Sequence, residues 1–164
     1  MKFEERFRVD SDRESLWELL MDVHKVATCL SGVEDLTVLQ PDEYEGVLPV
    51  SMGPVKLKFK GRVTVTLRDK ERWTAILEAK ANDSRAGGGF KASLQMQLIE
   101  ATDSALEPAS DLMLKLETTF LGRIGELGRP LIKRKINSIM RDFSETLNAS
   151  IGAISRPISR PISR

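Results

Sequence analysis

The sequence is poor in the residues that most often build catalytic and metal sites. Its 164 residues include one cysteine, Cys29, and one histidine, His24. A single cysteine excludes an intramolecular disulfide and suits a reducing compartment. Because there is one histidine, a multi-histidine metal site and a Ser/His/Asp or Cys/His arrangement would all depend on the same residue. We therefore expect His24 to be a surface or capping residue and Cys29 to be a small buried apolar one.

Long apolar runs and a strong net charge are also missing. No segment approaches the roughly 18–20 apolar residues of a membrane-spanning helix, and the first ten residues lack the apolar centre of a signal peptide. The formal net charge of +1 gives no general attraction for nucleic acid. The charge is unevenly distributed, because residues 122–164 carry nine Lys/Arg and three Asp/Glu. We expect a protein that is soluble or peripherally attached, with its C-terminal part facing something anionic.

What the sequence does contain is a series of alternating segments. In "MGPVKLKFKG", residues 52–61, apolar residues alternate with lysines between two glycines. This period of two is typical of a β-strand with one buried face. Turn-like segments such as "QPDE" and "NDSRAGGG" separate the alternating runs. The predicted strands cover residues 2–9 and about 34–40, 43–52, 55–69, 72–82, 89–101 and 110–120.

Three segments carry helical patterns. Residues 10–20 combine candidate N-caps with a Leu/Trp stripe, and a second short helix is expected over 22–30. A long amphipathic helix is expected from about residue 123 with a bend at Pro130; the alternative is that Pro130 marks its first turn. Its apolar positions recur at spacings of three and four, at Ile124, Leu127, Leu131, Ile132, Ile136, Ile139, Met140, Phe143, Leu147 and Ile151. The closing "ISRPISRPISR" has a proline every fourth residue, which predicts polyproline-like or disordered chain.

This order of elements predicts one α+β domain over residues 1–151, followed by a repeat tail at 152–164. A curved antiparallel sheet of about seven strands would wrap around the long C-terminal helix, with two short helices after the first strand. The inward positions, which include the odd residues from Val55 to Leu67, are apolar, and Glu5 is the one carboxylate placed inside. Both a close-packed core and an apolar cavity fit such a lining. The candidate cavity-wall residues are Leu57, Phe59, Val63, Trp73, Leu77, Ala79, Phe90, Ala92, Leu94, Leu114, Leu116, Phe120, Leu127, Leu131 and Met140.

Two further features are weaker signals. The glycine-rich "GGGF" at 87–90 precedes a strand and lacks the Lys-Ser/Thr of a P-loop, so we expect a flexible loop at the lip of an opening. Basic residues of the last helix and the tail are candidates for contact with an anionic membrane or a partner. They are Arg129, Lys133, Arg134, Lys135, Arg156 and Arg160.

Three stretches carry a family resemblance: "CLSGVEDL" (29–36), "DEYEGVLPVSMGPVKLKFKGRVTV" (42–65) and "LGRIGELGRPLIKRKINSIMRDFSETL" (121–147). They resemble the CoxG family of aerobic carbon monoxide dehydrogenase systems, within the START-like SRPBCC superfamily of helix-grip proteins. The resemblance implies a non-catalytic accessory protein without a covalent cofactor, at the cytoplasmic face of the membrane. It would help a molybdenum hydroxylase-type dehydrogenase to associate with the membrane and to pass electrons to quinone, by holding a quinone or lipid in its cavity.

Two other functions stay open. A small enzyme of the polyketide cyclase type shares this fold, but it needs inward polar groups, and the pattern supplies only Tyr44 and Glu5. A protein-interaction module would have a filled interior and would bind the dehydrogenase without a lipid. The ligand-binding hypothesis predicts instead an apolar cavity that opens near the glycine-rich loop or the N-terminal helix pair.

Overall fold

A computed structural model, which describes residues 1–103 and 107–155, contains one antiparallel sheet of seven strands. The strands are β1 (Lys2–Val9), β2 (Glu34–Gln40), β3 (Glu43–Met52), β4 (Val55–Asp69), β5 (Thr74–Asp83), β6 (Gly88–Glu100) and β7 (Ser110–Gly122). They lie in the order β1-β7-β6-β5-β4-β3-β2. The helices are α1 (Arg13–Leu20), α2 (Val23–Thr28), a 3₁₀ helix (Arg123–Leu127) and α3 (Arg129–Ser155). The predicted α+β architecture is therefore confirmed, and Arg156 and Arg160 of the tail lie outside the described residues.

The two short helices begin at aspartates that cap them. The Asp12 carboxylate accepts the backbone N–H of Ser15 at 2.9 Å, at the start of α1. At the start of α2, the Asp22 carboxylate accepts the backbone N–H groups of His24 and Lys25 at 3.1 and 3.2 Å. Such side-chain caps satisfy backbone donors that the first helical turn leaves without partners. The starts of both helices are therefore set by local sequence.

The long helix begins later than the favoured prediction. Residues 123–127 form a 3₁₀ helix, and α3 starts at Arg129 with Pro130 in its first turn. Gly128, between them, has a φ of 93°, which interrupts the helical path. Proline fits the first turn because its missing N–H would have no helical partner there. The expectation of one bent helix from residue 123 is wrong, and Pro130 marks the N-terminal turn.

A register shift in β4 reverses the faces to which the side chains of its last residues point. β4 and β5 pair regularly as far as Val65 with Leu77, and the next pair joins Leu67 to Ile76. One extra residue moves each later side chain to the opposite face. Leu67, which the alternation placed inside, therefore faces outward and is 40% exposed. Its neighbour Arg68 takes the inward side.

Glycines allow the strands to approach closely. A Cβ atom on Gly61 of β4 would lie 2.1 Å from the Lys80 carbonyl oxygen of β5, and one on Gly88 would lie 2.4 Å from the Leu121 carbonyl oxygen. Gly88 and Gly89 belong to β6 rather than to a loop. The expectation that "GGGF" forms a flexible lip is therefore wrong, because these glycines pack against neighbouring backbone.

The buried core consists of two separate clusters on the inner face of the sheet. The first core cluster lies between β1, β5, β6, β7, α1 and α3 from Ile136 onward, and the second lies between the β3–β4 hairpin, β5 and the 3₁₀ helix. The first contains Phe3, Val9, Leu16, Trp17, Cys29, Ala75, Met96, Leu98, Leu112, Leu114, Met140, Leu147 and Ile151. The second contains Val50, Met52, Leu57, Phe59, Ala81 and Ile124. Cys29 is buried, as the sequence predicts.

Candidate ligand site between the core clusters

One row of paired residues crosses the inner face of the sheet between the two core clusters. Tyr44 of β3 pairs with Val63, Val63 with Ala79, Ala79 with Ala92, and Ala92 with Thr118 of β7. Residues that are directly opposite in antiparallel strands point to the same face. All five side chains of this middle row therefore face the side of the sheet on which α3 lies.

The apolar residues of the middle row are incompletely buried although they face inward. Val63, Ala79 and Ala92 are half-buried and belong to neither core cluster, and the same holds for Leu77 beside them. Protein interiors are close-packed, so inward residues at the centre of a sheet would ordinarily be covered completely. The apolar residues of the middle row are thus less completely buried than the two core clusters on either side of the row.

Helix α3 closes both ends of this inner face. Leu131, in its N-terminal part, packs against the second core cluster, and Met140 and Leu147 belong to the first. Near its C-terminal end, the Asn148 side chain accepts the backbone N–H of Asp10 at 3.0 Å and fixes the helix beside β1. The helix is therefore anchored on either side of the middle row.

The predicted wall residues divide into three groups. Those of the second core cluster or packed against it are Leu57, Phe59, Phe90, Phe120, Leu127 and Leu131. Those of the first core cluster or packed against it are Trp73, Leu94, Leu114, Leu116 and Met140. Between the clusters lie Val63, Leu77, Ala79 and Ala92. Their role as the wall of a ligand site stays a prediction.

Trp73 has a local structural part that the alternation does not indicate. Its φ of 53° lies in the left-handed region, which is unusual for a bulky residue. Its ring meets Trp17 of α1 edge-on with centroids 5.9 Å apart, and the Arg13 guanidinium lies 4.2 Å from its centroid. These contacts hold α1 against the β4–β5 turn.

Each end of the middle row carries a hydroxyl group. At the β7 end, Thr118 is buried and its hydroxyl lies 3.4 Å from the Met1 carbonyl oxygen. At the β3 end, the half-buried Tyr44 meets the ring of His24 edge-on, with centroids 6.2 Å apart and planes at 78°. The sequence pattern gives no signal for this contact, because α2 and β3 are brought together only by the fold.

Four strands of the sheet separate the inward carboxylate, Glu5, from Tyr44. Glu5 pairs with Leu114 and therefore faces inward, as the alternation predicts, and it is half-buried. It lies on β1, an edge strand, whereas Tyr44 lies on β3 near the other edge. The two polar groups that a cyclase-type enzyme would need thus lie on the same face of the sheet but near its opposite edges. Within the described ranges, no group of His, Cys, Asp and Glu could hold a metal ion.

The basic residues of α3 lie near the second core cluster. Those that the sequence singled out are exposed or, for the last, half-buried: Arg129, Lys133, Arg134 and Lys135. Two further arginines at this end, Arg85 and Arg123, are exposed, and the Arg123 backbone N–H donates to the Gly87 carbonyl at 3.1 Å. The pattern missed these two because each stands outside the basic run of α3, Arg85 in the β5–β6 turn and Arg123 at the start of the 3₁₀ helix. In the part of the chain that the structure describes, no helix is both long and apolar enough to cross a membrane.

Solved structures share this architecture. A conserved protein from Geobacillus kaustophilus aligns with a TM-score of 0.83 and 18% identity over 93% of this chain and 96% of that chain. A START superfamily protein from Mycobacterium smegmatis gives 0.65 and 9% over 93% and 98%, and Zhui aromatase/cyclase from Streptomyces sp. R1128 gives 0.63 and 15% over 96% of each. At these low identities the matches bear on the fold alone. The shared fold is that of a START-like helix-grip domain.

The sequence narrows this class to one family. The model of the carbon monoxide dehydrogenase G-subunit family (CoxG) matches residues 6–152, so the chain belongs to that family. None of the curated proteins matches the sequence significantly. Family and fold together support an accessory role in a carbon monoxide dehydrogenase system.

Proposed function

We propose that this accessory protein is non-catalytic and binds one apolar molecule, a quinone or a lipid, along the middle row. The observation that carries the proposal is the incomplete burial of Val63, Leu77, Ala79 and Ala92 between two closed core clusters. Burying apolar surface contributes about 25 cal/mol per Å². A ligand that covers roughly 100 Å² of this surface would gain about 2.5 kcal/mol before the costs of association.

The positions of Glu5 and Tyr44, with four strands of the sheet between them, favour a carrier over a cyclase-type enzyme. General acid–base catalysis needs groups that reach the same reacting atoms. The alanines at the centre of the row offer no such group, whereas they leave room for an apolar ring or chain. The ligand would serve a molybdenum hydroxylase-type dehydrogenase, to which the protein would bring quinone at the inner face of the cell membrane.

A pair of single substitutions tests the ligand site. Ala92→Phe places an aromatic ring at the centre of the middle row and should abolish binding of a quinone that the unmodified protein binds. Lys91→Phe adds the same ring one residue earlier, on the outer face of β6, and should leave binding unchanged. Isothermal titration calorimetry measures the affinity, and circular dichroism verifies the fold. Undiminished binding by Ala92→Phe would contradict the proposed site.

The exposed basic residues near the second core cluster support a membrane contact in the same proposal. Each basic residue close to an anionic bilayer contributes about 1 kcal/mol. The double variant Lys133→Gln/Arg134→Gln should therefore bind vesicles of anionic phosphatidylglycerol up to about 30-fold more weakly in a sedimentation assay. Lys80→Gln/Lys91→Gln makes the same charge change on the outer face of the sheet and should have little effect. Equal losses for both double variants would refute a contact through α3.

A further inference from the structure

The only tyrosine of the chain stands at the β3 end of the middle row. Tyr44 pairs with Val38 on one side and Val63 on the other, so its side chain continues the row toward the β2 edge of the sheet. The residue is half-buried, and Val38 beside it is 50% exposed. Within residues 1–103 and 107–155, its hydroxyl group has no hydrogen-bond partner from the protein.

The only histidine of the chain is exposed and contacts this tyrosine from helix α2. His24 lies in the first turn of α2, where the Asp22 carboxylate holds its backbone N–H at 3.1 Å. Its ring contacts Tyr44 edge-on at a centroid distance of 6.2 Å. The ring nitrogens, like the tyrosine hydroxyl, bind no other described residue. A half-buried phenol and an exposed imidazole, neither hydrogen-bonded to another described side chain, thus meet at the solvent-facing β3 end of the row.

The other end of the row offers no comparable group. The Thr118 hydroxyl lies near the Met1 carbonyl oxygen at 3.4 Å, and the N-terminal ammonium group donates to the Thr118 carbonyl at 2.7 Å. The polar groups at this end are therefore engaged with each other. A ligand with one polar and one apolar part would find its hydrogen bonds at the β3 end.

We propose that His24 and Tyr44 bind the polar head of the ligand, and that this head is an oxygenated ring of the quinone type; the inference rests on the proposed function. A phenol both donates and accepts, and a neutral imidazole has one donor and one acceptor nitrogen. The pair can therefore donate to the carbonyl oxygens of a quinone and accept from the hydroxyl groups of a quinol. The small side chains of Ala79 and Ala92 leave the middle of the row to the apolar part of the molecule.

The test compares two ligands that differ only in the ring oxygens. They are 2-methyl-3-geranyl-1,4-naphthoquinone and 2-methyl-3-geranylnaphthalene, titrated calorimetrically into the full-length protein. The unmodified protein should bind the quinone about tenfold more tightly than the naphthalene, as one or two net hydrogen bonds imply. Tyr44→Phe and His24→Phe each keep an aromatic ring at the position but remove its hydrogen-bonding atoms. Each should weaken quinone binding several-fold and leave naphthalene binding unchanged.

Thr118→Val provides the matched control, because it removes a hydroxyl from the opposite end of the row. It should leave the preference for the quinone intact. Two results would overturn the assignment of His24 and Tyr44 without contradicting the apolar site. One is equal affinity of the unmodified protein for both ligands, and the other is a preference that is lost in Thr118→Val but kept in Tyr44→Phe. Failure of the unmodified protein to bind either ligand would overturn the proposed function itself.

Discussion

Shortening an inward leucine should destabilise the protein much less at the centre of the sheet than in a core cluster. Leu57 and Leu77 make a matched pair, since both face inward from neighbouring strands. Leu57 is 3% exposed and belongs to the second core cluster. Leu77 is half-buried and belongs to neither cluster. Leu57→Ala and Leu77→Ala remove the same atoms from these two environments.

The expected magnitudes follow from the two environments. In a close-packed site, a leucine-to-alanine change loses the transfer free energy of the removed atoms and leaves a cavity, so Leu57→Ala should lower the free energy of unfolding by about 3–4 kcal/mol. Leu77 is half-buried and belongs to neither core cluster, so we expect a much smaller cavity contribution there. Part of the transfer contribution is also missing, because the side chain is partly exposed. Leu77→Ala should lower the free energy of unfolding by roughly 1–2 kcal/mol.

Urea unfolding of ligand-free protein, followed by circular dichroism, measures both values. A difference of about 2 kcal/mol between the variants supports an uncovered centre of the sheet. With a saturating quinone, Leu77→Ala should become more destabilising because the ligand now contacts that side chain, whereas Leu57→Ala should not change. Equal losses for the two variants without ligand would refute the reasoning, since they would mean that the interior between the clusters is filled.

The other predictions concern the scaffold. Gly61→Ala should destabilise the protein by roughly 2 kcal/mol or more in thermal unfolding, because its Cβ would collide with the Lys80 carbonyl oxygen. Asp83→Asn should lower the free energy of unfolding in urea by about 2 kcal/mol, because the buried carboxylate accepts the Lys58 backbone N–H at 2.7 Å, and the amide can replace only one of its oxygens. Hydrogen bonds from two arginines of β1 hold the pKa of the Asp111 carboxyl below its usual range. This carboxylate therefore stabilises the fold above about pH 4 and less as the pH falls below that value, so Asp111→Asn should flatten the loss of stability on acidification below about pH 4.

Each of the three substitutions, Gly61→Ala, Asp83→Asn and Asp111→Asn, has a result that would contradict its prediction. Gly46→Ala is the counterpart of Gly61→Ala on the paired strand, where the nearest atoms to a new Cβ lie at 3.5 Å, and it should be nearly neutral. Equal effects of the two alanines would contradict the close-approach argument. An unchanged midpoint for Asp83→Asn, or an unchanged acid profile for Asp111→Asn, would show that these carboxylates contribute little.

Much of the fold could be predicted because its strands alternate clearly and its turns are marked. The predicted bounds of β2, β3 and β4 coincide with those of the structure, since proline, glycine and aspartate punctuate these hairpins. The turned-over end of β4 could not be predicted, because Leu67 continues the alternation and nothing in the sequence marks the bulge. Glycine at 128 and proline at 130 are compatible with both a kinked helix and a new helix start, and the φ of 93° that Gly128 adopts in the fold separates the 3₁₀ helix from α3.

The candidate site was predictable only in part. The alternation identified which side chains face inward, since this depends on local geometry. It could not tell which of them α3 and the 3₁₀ helix cover, so Leu57 and Ala79 looked alike although one is in a cluster and the other is not. The meeting of His24 with Tyr44 depends on how α2 lies over β3, a long-range contact that a single sequence does not encode in any periodic pattern.

Native mass spectrometry of the protein purified from cells, with extraction and identification of whatever accompanies it, tests the central claim most directly. We predict one quinone or lipid molecule per chain in the unmodified protein and in Lys91→Phe, and none in Ala92→Phe. A protein that carries no such molecule, and that stays empty after incubation with quinones, would contradict the carrier proposal and favour a module that binds only the dehydrogenase.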